Sequence, residues 1–235
     1  MRPQRQRISL QMGLAVAVAL SFGARCASAD FVFDLDNPNS AISPYTGPFG
    51  KVDVHLVNST TATVTLDSLT NGGNIYLFGS QNTLALNVNS NTFTVSGIAG
   101  SNSGTGFTQN QPSDFTANLG LQTVGGHGKF NLAIDTFDGF GHSMNHLTLT
   151  LTDVSGTWAS ANDVLQLNDN GSLAAGHVFV TSSSADFSNG ALATGFAGGP
   201  AVSTAPAPSS AILLGCGALT LLGFTALSRL RRQPA

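Results

Sequence analysis

The chain has no glutamate, and its 235 residues carry only nine lysines and arginines. Seven of those nine lie at the ends: Arg2, Arg5, Arg7 and Arg25 near the start, and Arg229, Arg231 and Arg232 in the last seven residues. Between them Lys51 and Lys129 face twelve aspartates, so the body has a formal charge of −10. A nucleic-acid binder needs the opposite sign, which excludes that class. Cysteine is as scarce. Cys26 and Cys216 fall in the end segments, so the body can hold no disulfide and no thiolate metal site. The missing glutamate also removes the closing ligand of an EF-hand and the base of the helical zinc-hydrolase motif. Trp158, Tyr45 and Tyr76 are the only tryptophan and tyrosines, a thin supply for a sugar-stacking cleft. No P-loop, dinucleotide fingerprint or G-x-S-x-G elbow occurs, and Gly125-Gly126-His127-Gly128 is not followed by a helical pattern.

What is present begins with two patterned ends. Met1–Arg7 is basic, Ile8–Gly23 is apolar, and Ala27-Ser28-Ala29 places small residues before Asp30. This is the layout of a secretory signal cut between Ala29 and Asp30, which implies the Sec export machinery as a partner. At the other end Pro206-Ala207-Pro208-Ser209-Ser210 precedes a charge-free stretch, 211–227, and then Arg229, Arg231 and Arg232. Seventeen residues reach the lower limit for a transmembrane helix, and the arginines should stay on the cytoplasmic side. The expected organisation is a signal peptide over 1–29, one domain over 30–194, a linker over 195–205 and a membrane-sorting tail over 206–235.

That tail resembles the PEP-CTERM sorting signal of bacterial exopolysaccharide producers. The resemblance implies processing by exosortase, a membrane-embedded cysteine protease, at the Pro206-Ala207-Pro208 position. Ala207 stands where that family has glutamate. A second resemblance covers FDGFGHSMNHLTLTLTDVSGTWASANDVL and LAAGHVFV, within 130–181. It is similar to the C-terminal half of PEP-CTERM ectodomains, and implies an exported β domain without assigning an activity.

The body is rich in Ser, Thr, Asn and Gly, broken by short apolar alternations. KVDVHLV (51–57), TATVTL (61–66), KFNLAID (129–135) and HLTLTLT (146–152) each place apolar residues on one face. Residues 74–78, 83–88, 91–96, 163–167 and 177–181 are further short runs. Period-two alternation with β-branched residues predicts half-buried strands. Asn71-Gly72-Gly73 and Asn170-Gly171 are turn signals, and 102–111 reads as a loop. No 3.6-residue stripe runs through the body, so an all-β antiparallel sandwich or jelly roll is expected. Gly195–Ser210 is small, apolar and Pro-rich, and reads as the linker.

Several residues invite chemistry. His142 and His146 are four apart, but Gly141 and Ser143 oppose a helix there. His55, His127 and His177 would complete a zinc site only if the fold gathered them. Asp34, Asp36, Asn168, Asp169 and Asn170 are the densest oxygen clusters and the candidates for calcium; Asp and Asn of this kind also cap turns. Asp135 and Asp138 have the look of a glycosidase pair, although Asp138-Gly139 also fits a turn. Trp158 reads as a core anchor. The expected function is a non-enzymatic cell-surface or extracellular-matrix protein associated with exopolysaccharide. The alternatives are a calcium-dependent glycan-binding module and a metal-assisted extracellular hydrolase.

Overall fold

The computed structural model describes residues 29–182 and 186–199. The expected leader and sorting tail, including Ala27, Pro206, Ala207, Pro208, Arg229, Arg231 and Arg232, lie outside the described residues. Within them the chain forms β1 (Phe31–Leu35), β2 (Asn37–Pro38), β3 (Gly50–Asn58), β4 (Thr61–Ser68), β5 (Thr70–Asn71), β6 (Asn74–Phe78) and β7 (Leu84–Leu86). There follow β8 (Phe93–Ser101), β9 (Thr116–Val124), β10 (Gly128–Asp135), β11 (His146–Asp153), β12 (Ala174–Ser182) and β13 (Ala193–Gly198). The only helical pieces among the described residues are four short 3-10 turns. No helix there is long and apolar enough to cross a membrane.

The strands pair antiparallel into two sheets, so the all-β sandwich expected from the alternation is what forms. The first sheet has the order β1-β3-β4-β11-β8. Its register lines up Phe31, Val54, Val64 and Leu149 in one inward row, and Phe33, Val52, Leu66 and Leu147 in the next. All eight are buried in one core. Truncating such a residue, Leu149→Ala for example, costs about 2–5 kcal/mol because the cavity adds to the lost transfer energy. The outward row of the same sheet reads Asp34, Lys51, Asp67, His146 and Ser101. Threonines 63, 65, 148 and 150 share that wet face with Asp53 and His55.

The second sheet runs β2-β13-β12-β7-β10-β9, with β6 also on β12 and β5 on β6. Its inner face adds Leu84, Leu86, Leu132, Ile134, Val178 and Val180 to the core. Its outer face is not wet, contrary to the simple alternation. Ala85, Val124, Phe130, Ala133 and Ala175 form one outer cluster, and Leu77, Phe107 and Phe179 another. Phe107 comes from the 102–111 loop, which folds back over the sheet. Sheets covered on both faces read as continuous apolar runs, and VFVT in β12 is such a run.

The run expected at 91–96 forms later and longer, as Phe93–Ser101, and two further boundaries change. The run 163–167 is not a strand but a 3-10 turn, Ala161–Asp163, followed by a single bridge from Leu165 to Val88. The expected linker begins too early, because β13 continues to Gly198 and pairs with β12 through Gly195, Phe196, Ala197 and Gly198. The glycines of this segment are required by close packing rather than by flexibility. A Cβ on Gly195 would lie 2.6 Å from Asn39 Oδ1, and one on Gly199 would lie 2.5 Å from the Phe33 ring.

Candidate functional site

β11 ends at Asp153, at one end of the sandwich. There the segment after β7 and the segment 153–166 leave a cleft of about 470 Å³, lined by Asn89, Ser90, Asn91, Thr157, Asp163 and Gln166 together with Asp153. Its walls are fixed by hydrogen bonds. The Trp158 ring is buried, and its Nε1 donates to the Asn89 carbonyl at 2.9 Å. Asn89 Nδ2 donates to the Asp163 carbonyl at 2.9 Å, and Asn89 N donates to the Val164 carbonyl at 2.8 Å. Trp158 is thus the anchor the sequence implies, and it also shapes the cleft.

Asp153 is the electrostatic centre of this region. Burial works against its charge, but Ser90 Oγ (2.8 Å), the Ser155 amide (3.0 Å) and the Gly156 amide (2.9 Å) all donate to Oδ1. Those donors prevail and hold its pKa below the ordinary carboxylate value. A general acid needs a shift in the other direction. The cleft therefore offers hydroxyls, amides and an ionised acceptor, with no cationic side chain among its lining residues.

Both carboxylates of the glycosidase-like pair are engaged in structural hydrogen bonds. Asp135 Oδ1 accepts from the Asn82 amide at 2.7 Å, and Oδ2 accepts from Asn118 Nδ2 at 2.7 Å. Asp138 accepts from Ser80 Oγ. Both carboxylates hold the 79–83 turn, in which Ser80 and Asn82 have positive φ (68° and 53°). Thr136 Oγ1 completes the brace by accepting from the Ser80 amide at 2.8 Å.

The histidines are not gathered. His55 pairs with Asp30 (2.5 Å) and His146 with Asp67 (2.7 Å), both on the wet face of the first sheet. His127 and His177 are attached to the second sheet, and His142 lies in the Phe140–His142 turn. Burial pushes the pKa of His127 down; it does the same to His177 against the opposing pull of the Gly79 and Gln81 backbone and the Asp138 carboxylate. Among the described residues no three His, Cys, Asp or Glu side chains come together as a metal site. Asp34 faces Lys51 across the strand pair, and Asp36 lies exposed just beyond β1. Asn168 Oδ1 accepts from the amides of Asn170 (3.0 Å) and Ser172 (2.9 Å), while its Nδ2 donates to the His127 carbonyl (2.8 Å). Asn168, Asp169 and Asn170 are thus the turn that covers His127, the capping role such residues offer. Asp30 is already tied to His55 at the first described residues, with Ala29 just before it.

Sequence reasoning missed the cleft, because its lining comes from two segments some seventy residues apart, none of them unusual alone. It also missed a row of aromatic rings on the outer face of the second sheet, built from phenylalanine and histidine rather than tryptophan and tyrosine. Comparison with family models, curated proteins and solved structures finds no match to this chain.

Proposed function

We propose that this is an exported, non-enzymatic surface or matrix protein that associates with extracellular polysaccharide and is sorted through its C-terminal tail. The observation that carries the polysaccharide part is the cleft beside Asp153. Polyhydroxyl chains are bound by side chains that both donate and accept, and amides, hydroxyls and one fixed carboxylate supply both. The low pKa of Asp153 and the structural use of Asp135 and Asp138 favour binding over hydrolysis. The export part rests on the basic–apolar–small layout of 1–29, and the sorting part on the 206–235 pattern that resembles PEP-CTERM signals. An acidic, Thr- and Asn-covered surface keeps such a protein dispersed among hydrated polymers.

Intact mass of the protein from its producing cell, separated into membrane and medium, tests the sorting. A species from Asp30 to near Pro208 in the medium is expected; an uncut chain confined to the membrane would refute processing. Co-sedimentation with that cell's own polymer tests the association, and no retention would refute it.

A further inference from the structure

Asp153 is 6% exposed, and its two oxygens have different surroundings. Oδ1 takes Ser90 Oγ (2.8 Å) and the amides of Ser155 (3.0 Å) and Gly156 (2.9 Å), with Ser155 Oγ further off at 3.4 Å. Oδ2 accepts from no described residue, yet it is not sealed, because the side chain lines the cleft. Gly156 stands over it. A Cβ built there would lie 3.1 Å from Oδ2 and 3.8 Å from Oδ1. The backbone of Gly156 is outside the left-handed region, so conformation does not call for glycine at this position. What the missing side chain leaves is an open approach to one carboxylate oxygen.

Asp53 shows the contrast. Its Oδ1 also lacks a hydrogen-bond partner, but that atom is shut off from solvent, and Lys51 and His55 stand beside the group. Asp153 has no such neighbour. Neither lysine of the sequence and none of its histidines lines the cleft, and the other charged lining residue is a second acid, Asp163. Against the opposing effect of burial, the donors on Oδ1 keep the pKa of Asp153 low, so the group is ionised at neutral pH. A charge withdrawn from water is normally paired or coordinated. Here the protein supplies donors to one oxygen and no counter-charge to the other.

The geometry narrows the missing partner. A sugar hydroxyl would complete the hydrogen bonding of Oδ2 and leave its charge uncompensated. A calcium ion asks for about six to eight oxygens, and among the described residues no three acidic or imidazole side chains converge. A guanidinium prefers both oxygens of a carboxylate in a bidentate fork, and Oδ1 is already occupied. A primary ammonium is a compact charge with three donors, and a single open oxygen suits it. The Trp158 ring is 2% exposed and offers no stacking face, so recognition in the cleft is polar.

We infer that Asp153 Oδ2, reached past Gly156, receives a protonated primary amine, and that the polymer taken by this cleft bears free amino sugars. The inference rests on the polysaccharide reading above and names the group that reading leaves open. Asn91, Thr157 and Gln166 on the same lining supply donors and acceptors for the hydroxyls beside the amine.

The test titrates the full chain, in neutral detergent, with a glucosamine trisaccharide and with its N-acetylated counterpart. At physiological salt, attraction to the acidic body at large is screened beyond about 8 Å. The free amine should bind, and the acetylated sugar should bind at least about tenfold more weakly. Asp153→Asn keeps the shape and removes the charge, and should erase that preference. Gly156→Ala should weaken amine binding by a similar factor while the melting temperature stays within a few degrees of the parent. Asp36→Asn removes one charge outside the cleft and should bind as the parent does. If Asp153→Asn is too unstable to titrate, Gly156→Ala and the pair of sugars decide. Equal binding of the two sugars by the parent, or parental binding by either cleft variant, overturns the inference; co-sedimentation with the producing cell's polymer then judges the broader reading separately. Binding of neither sugar overturns it as well. If calcium ions alone displace the amino sugar and raise the melting temperature, the carboxylate is a metal ligand and the inference falls. Equal affinity for a trilysine peptide would make the site one for any ammonium and remove the sugar assignment.

Discussion

His127 packs directly against Gly198, so that a Cβ built on the glycine would overlap the imidazole ring. The relationship joins the β9–β10 turn to the last described strand, in the segment whose composition reads as a linker. Gly198→Ala should therefore destabilise the domain by about 1–3 kcal/mol, the usual cost of overpacking. For a domain of this size that is a fall in melting temperature of roughly 3–10 °C. An unchanged melting curve would show that the sheet does not extend to residue 198.

The same histidine gives the protein a pH response. His127 is 2% exposed, and burial lowers its pKa. The unfolded chain, with a histidine pKa of about 6.5, then binds more protons than the folded one in mildly acidic solution. Stability is present above that value, falls as pH drops below it, and levels off once the folded-state pKa is passed. His177 shifts in the same direction and adds to the slope. Urea melts between pH 7.5 and 5 should show this loss, and His127→Gln should reduce it, leaving the share of His177.

Asp153 predicts a loss in the same direction at lower pH. Its carboxylate is held below the ordinary value, so its contribution is present above about pH 3.9 and disappears as pH falls through the folded-state pKa. Asp153→Asn should cost about 1–3 kcal/mol at neutral pH, the range for a buried hydrogen-bonded charge. Loss of the brace on Ser90 should also weaken polysaccharide retention. A variant of parental stability would mean that the Ser90, Ser155 and Gly156 donors find equal partners without it.

The pair Asp135 and Asp138 separates structure from chemistry. Asp135→Ala leaves the Asn82 amide without its acceptor and should destabilise the domain by about 1–3 kcal/mol. Hydrolysis of the producing cell's polymer, followed by reducing-end release, should be absent in the parent and in the variant alike. Release by the parent that Asp135→Ala or Asp138→Ala abolishes would establish a glycosidase.

The first sheet was legible because its outer face is wet. HLTLTLT and KVDVHLV alternate cleanly, and the strands formed within one or two residues of the expected bounds. The strand at Phe31–Leu35 alternates as well, but so briefly and so near the leader that the period gave no separate signal. β9 and β13 escaped notice for different reasons. TANLGLQTV carries a bulge at its centre, where the register slips against β10, and ATGFAG is too glycine-rich to read as a strand.

Composition and local period by themselves determined the all-β class, the cysteine-free acidic body, and the layout of the two ends. These are properties of single residues or of neighbours two apart, and they do not depend on which strands meet. Only the tertiary structure decided that Asn89 and Asp153 share a cleft, that Asp135 and Asp138 brace a turn, and that five phenylalanines spread over ninety residues become one row with His177. Those relations are set by strand order and by the loop that folds over the second sheet. Contacts between segments far apart in sequence leave no period in the chain that makes them.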